Sequence, residues 1–188
     1  MTIYLDILLL LLIIAIIELS DLTLVSLILS IQGLLFLYEF GMLKVETLPL
    51  FVFSVVISPF LIYYLTKRTK KDEEEPLISG FLSVSLLLIL VVAGYVLSNI
   101  FNLSNLSLPL AFAGVYGLIA KTDLRKTAAS LSILACVAHL FTTSLGFEID
   151  LVLIFLFSIL LLILLYMADK LFATKGSLST RDLKELRF

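Results

Sequence analysis

The feature that most limits what this chain can fold into is a series of charge-poor apolar runs. It opens with "IYLDILLLLLIIAII" and closes with "LVLIFLFSILLLILLYM". Helical runs of about 20 such residues match the hydrocarbon thickness of a bilayer, about 30 Å. Reading on that basis places helices at 2–18, 22–40, 48–66, 77–98, 106–120, 127–145 and 150–169. Backbone groups in hydrocarbon must bond within their own segment, and the runs lack the alternation of barrel strands. The predicted fold class is therefore all-α integral membrane, a bundle of about seven transmembrane helices. Composition agrees, with 61% of the 188 residues hydrophobic and 15% charged. The expected organisation is a single-domain bundle over 1–170 and a cytoplasmic amphipathic tail over 171–188. In the tail, Ser179 or Thr180 would begin a helix, with Asp182 in its first turn and Leu183, Leu186 and Phe188 against lipid or a partner. The N-terminal run reads as a retained span. Asp6 stands where a signal peptide has positive charge, and no small-residue cleavage pattern follows.

Charge orients the bundle, because lysine and arginine collect in cytoplasmic loops. With the N-terminus outside and the C-terminus inside, the inside segments hold Lys67, Arg68, Lys70 and Lys71, then Lys121, Arg125 and Lys126, then Lys170, Lys175, Arg181, Lys184 and Arg187. These are twelve of the 13 basic residues, and Lys44 alone falls outside. The breaks read as turns: Asp21 or Ser20 can cap the second helix, and "TKRTKKDEEEP" reads as a solvated connector. A parallel echo, "LLFLYEFG" with "LFVFS" against "HLFTTSLG" with "IFLFS", hints at an internal duplication. The net charge of -2 gives no bias toward nucleic acid. Localisation in the cell membrane, as a multi-pass protein contacting lipid, follows from the spans.

Polar residues inside the spans are the candidate functional groups. Spacings of four, three and four put Ser132, Cys136, His139 and Thr143 on one face of the sixth helix, which should look inward. His139 serves there either as a proton relay or as a neutral imidazole hydrogen-bonded to a neighbouring helix. In the third helix Pro59 cannot donate to the carbonyl of Val55, so a kink is expected, with Ser54 and Ser58 able to repair the lost bond. Gln32, Ala113, Gly114 and Gly117 read as helix-packing devices. Asp6, Glu18 and Asp21 fall near helix ends, where a carboxylate can reach water. The lone cysteine excludes an intrachain disulfide. No metal-ligand cluster, phosphate loop or nucleophile–base pair is legible, so no cofactor and no catalytic residue is assigned and the chain is not expected to be an enzyme.

The order of these features resembles the hydrogenase-4 component E family, a seven-span relative of the complex I subunit NuoK and of the C-type subunit of Mrp cation antiporters. The resemblance is carried by "FSVVISPFLIYYLTKR", "DLRKTAASLSILACVAHL" and the closing "DLVLIFLFSILLLILLYMADKLFATKGSLSTRDLKEL". Lys126 and His139 match a basic turn before span six and a histidine late in it. Lys170, Lys175, Gly176, Leu178 and Leu183 match the basic turn, glycine and leucine-bearing tail that follow the last span. Relatives can carry a lysine in span three and a glutamate one turn before the histidine, where this sequence holds Ser54 and Ala135. The resemblance implies a non-catalytic membrane subunit of a complex I-like, group 4 hydrogenase or related ion-pumping oxidoreductase. Its partners would be antiporter-like and complex I-like membrane subunits and a hydrogenase or other redox module. The alternative is a self-contained small transporter or channel. An integral-membrane enzyme acting on lipid ranks third.

The orientation has a direct test. Single cysteines replacing Lys44 and Lys70 are expected to react with an impermeant thiol reagent from opposite sides of the membrane, and labelling from the same side would refute the topology.

Overall fold

The computed structural model describes residues 2–39, 47–69, 77–78, 80–142 and 147–179, and these form seven helices. In chain order they are α1 (Thr2–Glu18), α2 (Leu22–Glu39), α3 (Leu48–Arg68), α4 (Gly80–Ile100), α5 (Ser107–Ala120), α6 (Leu124–Thr142) and α7 (Phe147–Lys175). Five of them, α2, α3, α4, α6 and α7, are long and apolar enough to cross a membrane. The other two are shorter, α1 with 17 residues and α5 with 14. Thr143 and the tail beyond Ser179 lie outside the described residues, as do Lys44, Lys70 and Lys71.

Local sequence chemistry sets the helix ends. The Asp21 carboxylate accepts the backbone N–H groups of Thr23 at 3.0 Å and Leu24 at 3.3 Å, capping α2 as its position suggests. Gly176, at φ +66°, ends α7 by donating its N–H to the carbonyl of Phe172 at 2.8 Å. Several boundaries differ from the sequence reading; α3 ends at Arg68 rather than 66, and α4 spans Gly80–Ile100 rather than 77–98. Helix α6 begins at Leu124 rather than 127, and α7 runs from Phe147 to Lys175 rather than from 150 to 169. Charged residues at those positions suggested loop, whereas their side chains find partners while the backbone stays helical.

Successive helices run antiparallel. The ends of α1, α3 and α5 meet the starts of α2, α4 and α6 at one end of the bundle, together with the segment that follows α7. At the opposite end, Asp6 of α1 hydrogen-bonds Asn105 in the α4–α5 connection. The described N- and C-terminal ends therefore lie at opposite ends of the bundle. All described lysines and arginines, namely Lys67, Arg68, Lys121, Arg125, Lys126, Lys170 and Lys175, lie at the end where α7 finishes; we call it the charged end.

Helix α6 is the hub, touching α1, α2, α3, α5 and α7. Its small residues allow this: Ala128, Ala129, Ser130, Ser132, Ala135 and Cys136 are all buried. Glycines bring α5 close to its neighbours. A Cβ on Gly114 would meet the Leu134 side chain at 2.7 Å, and one on Gly117 would collide with the Ser130 hydroxyl. A Cβ on Gly94 of α4 would lie 2.7 Å from the backbone nitrogen of Pro109. The outer faces are apolar: Phe81, Ile89 and Val92 of α4 and Phe155, Leu162 and Tyr166 of α7 are exposed, whereas Arg125, Asp123 and Lys126 are enclosed. That distribution inverts the one water favours.

Gly94→Ala pushes against backbone that cannot yield without separating α4 from α5. It is expected to lower stability by about 1–3 kcal/mol, read as a lower thermal midpoint in detergent, whereas Gly80→Ala, in open space, should act only through its positive φ.

Candidate functional site

The polar residues fall into two layers, a seam that starts at mid-depth and runs to His139 in the last turn of α6, and a charged cluster at the opposite end. In the seam, Ser132, Cys136 and His139 share the buried inward face of α6 that their spacing predicts. The Ser58 and Ser132 hydroxyls hydrogen-bond each other, joining α3 to α6. With Thr69 at Arg125 and Ser58 at Ser132, the two helices run antiparallel, and that register puts Ser54 level with Cys136. The Ser54 hydroxyl donates back to the carbonyl of Leu50 at 2.7 Å. His139 sits in the last turn of α6, 3% exposed, and its carbonyl accepts the Thr142 hydroxyl at 3.3 Å. Gln32 of α2 is buried, and its Nε2 has no hydrogen-bond partner among the described residues.

Pro59 disturbs α3 in a way the sequence does not predict. Residues Val52–Ile57 form a π-helical stretch, and the Ser58 N–H reaches back to the carbonyl of Phe53. The repair of the Val55 carbonyl comes from α2: the Ser30 hydroxyl donates to it at 3.0 Å. Ser54 and Ser58, expected to do this, bond Leu50 and Ser132 instead. Gly33, one turn along α2, makes the approach possible, since a Cβ there would lie 3.1 Å from the Val55 side chain and 3.3 Å from the Ser54 carbonyl.

The charged end holds the larger surprise. Lys121, Arg125 and Lys126 read as loop charges, yet they are 3%, 0% and 1% exposed. The Asp123 carboxylate caps α6 by accepting the Arg125 N–H at 2.8 Å, and it also takes the Arg125 guanidinium through both oxygens, at 3.0 and 2.7 Å. Arg125 further donates to the Thr69 hydroxyl at the end of α3, at 3.2 Å. Lys126 lays its ammonium on the end of α1, donating to the carbonyls of Ile16 at 2.6 Å, Ile17 at 2.9 Å and Leu19. That satisfies orphan carbonyls and sets a cation at the negative end of a helix dipole. Lys121 pairs with Glu18 at 3.0 Å; Glu18 also accepts the Ser83 hydroxyl at 2.7 Å, and Ser83 is 2.7 Å from the Tyr116 hydroxyl. Glu18 was expected to reach water; instead it is paired and only 13% exposed at its side chain.

Two backbone contacts complete the layer. Leu77 donates to the Ala120 carbonyl at 2.9 Å, and Leu124 to that of Leu178 at 3.1 Å, with Ser179 bridging to Asp123 in antiparallel fashion. The chain after α7 is thus pinned beneath the α5–α6 turn, with Leu178 fully buried, before the undescribed part of the tail begins. The only sequence signal for this layer is Asp123 two residues before Arg125, a capping residue ahead of an apolar run.

Chemically, the mid-depth seam offers hydroxyls, a thiol, an imidazole and an amide. These can donate and accept hydrogen bonds along a path, and His139 can exchange a proton. The buried ions of the charged end, by contrast, are engaged with helix ends and with one another. Among the described residues no three His, Cys, Asp or Glu side chains converge as a metal site. Comparison with protein families, with characterised proteins and with solved structures returned no match.

Removing one member of a buried pair strands the other. Asp123→Asn should destabilise the bundle by about 3–5 kcal/mol, and a double replacement of Asp123 and Arg125 by apolar residues of similar size should cost distinctly less. Thermal unfolding of the three proteins in one detergent distinguishes these outcomes; equal losses for single and double variants would show that the pair is not the source.

Proposed function

We propose that this chain is a multi-pass protein of the cell membrane in which all seven helices lie within the bilayer, with the N-terminus outside and the charged end cytoplasmic. The gathering of the described basic residues at one end supports that orientation. The apolar outer faces of α4 and α7 support the membrane environment. Within that setting we read the protein as a non-catalytic subunit of a complex I-like, group 4 hydrogenase or related ion-pumping oxidoreductase. There it helps couple redox chemistry to proton or sodium movement beside antiporter-like subunits.

The observation that carries the scaffold reading is the use made of charge. Lys126, Arg125, Asp123, Lys121 and Glu18 all hold helix ends and turns together within the chain. A rigid bundle of this kind transmits force between neighbours. The sequence resemblance supplies the assembly in which that rigidity is useful. The second reading, a self-contained transporter or channel, draws on the Ser58–Ser132 contact, the buried Cys136 and His139, and the π-helical turn, since such turns recur at functional sites.

Deletion and point substitution distinguish the two. Without this chain, ion pumping by the assembled complex should be lost even where its soluble redox centres turn over. His139→Gln should keep most ion transport in vesicles, because a neutral amide replaces a hydrogen bond at a cost of about 0.5–1.5 kcal/mol but cannot relay a proton near neutral pH. Loss of transport with assembly and redox activity intact would place His139 in the ion path and overturn the scaffold reading.

A further inference from the structure

A groove of about 240 Å3 runs between α3 and α7 at the charged end, open to the outer surface of the bundle. Its floor is apolar, with Leu61 and Leu65 from one wall and Leu162 and Leu165 from the other. Its mouth is not. Arg68 stands on the α3 side and Asp169 on the α7 side, their Nη1 and Oδ1 atoms 3.4 Å apart and their side chains 53% and 50% exposed. That separation is longer than a good charge-assisted hydrogen bond, so the two ions lie side by side without closing on each other. Tyr64 steadies the arginine: its hydroxyl accepts from Nη1 at 3.2 Å, and its ring lies under the guanidinium at 5.4 Å. The other guanidinium nitrogens are left to serve a ligand. This pair differs from the buried ones beside it, which are short and enclosed.

We propose that this groove seats one phosphatidylethanolamine-type phospholipid, a reading that rests on the charged end lying at the membrane interface. The charge pattern selects the headgroup. A phosphate needs a planar donor such as Arg68, and a primary ammonium a few atoms away needs an acceptor such as Asp169. The acyl chain lies on the four leucines, which extend about 10 Å below the ions, two helical turns. A phosphatidylglycerol headgroup would bring its phosphate to Arg68 in the same way but would offer Asp169 only neutral hydroxyls in place of an ammonium. A phosphatidylcholine headgroup carries no N–H to donate to the carboxylate. Bound in this way, the lipid joins α3 to α7 and fills a surface gap that side chains leave open.

The test uses the full chain in vesicles of equal parts phosphatidylethanolamine, phosphatidylcholine and phosphatidylglycerol, extracted gently and weighed intact with its retained lipid. Phosphatidylethanolamine should be enriched about tenfold over the others, the factor that one charge-assisted hydrogen bond supplies. Asp169→Asn should abolish its advantage over phosphatidylglycerol, Asp169→Glu should restore it, and Arg68→Gln should lower retention of all three. Both side chains are half-exposed, and unchanged helix content and thermal midpoint verify that each variant is folded. Equal retention of the three lipids by a protein that floats with vesicles would overturn the lipid site alone. So would an unchanged preference in Asp169→Asn, or a photo-reactive residue at Tyr166 that captures a second protein chain in place of lipid. A protein that fails to float with vesicles would overturn the site and the membrane reading together.

Discussion

The structure depends first on the ammonium of Lys126. A helix that ends against packed neighbours leaves its last carbonyls without intrahelical donors, and burial limits what solvent can supply. Lys126 brings three N–H donors on a flexible stem to three such carbonyls at the end of α1. An arginine, with its planar fork, suits a carboxylate better than a ring of carbonyls, and Arg125 next to it is given that task on Asp123. Neighbouring residues of one helix thus fix opposite sides of the bundle: α1 through Lys126, α3 and the chain after α7 through Arg125, Asp123 and Leu124. Desolvating these ions is expensive, and each cost is offset only because the partner sits in place.

Much of the helical framework can be read along the chain because hydrocarbon admits few backbone solutions. Asp21 announces its own capping role, and the spacing of Ser132, Cys136 and His139 announces a shared buried face. Gly114 and Gly117 announce a close approach, though not that Ser130 and Leu134 are what approaches. What is illegible depends on partners far away in sequence. Nothing near Pro59 indicates that Ser30 will mend the broken bond, and nothing near Lys126 indicates α1. Charged residues between apolar runs suggest solvent when taken alone, so Lys121, Arg125 and Glu18 pass for surface groups until their neighbours are known.

The two polar layers divide the labour. At the charged end the buried ions, Glu18, Lys121, Asp123, Arg125 and Lys126, are locked in place, and movement there would release several costly charges at once. At mid-depth the contacts are single hydrogen bonds between neutral groups, worth about 0.6–2 kcal/mol each in a membrane interior. The Gln32 Nε2, which has no hydrogen-bond partner among the described residues, belongs to this softer layer. Any adjustment the bundle makes is therefore concentrated at the level of Ser58, Ser132 and Cys136, with the buried ions of the charged end acting as the fixed base.

The π-helical stretch has a geometric consequence for α3. Leu50, Ser54, Ser58, Ile62 and Thr66 are all buried, each four residues from the next. In a regular α-helix such a series drifts around the axis by about 40° per step, so its two ends would face nearly opposite directions. The wider turn over Val52–Ile57 takes more residues per revolution and winds the series back. The file of inward side chains therefore spirals much less than it otherwise would, like a seam partly straightened down a sleeve, and at Ser58 it meets the α6 face that carries Ser132.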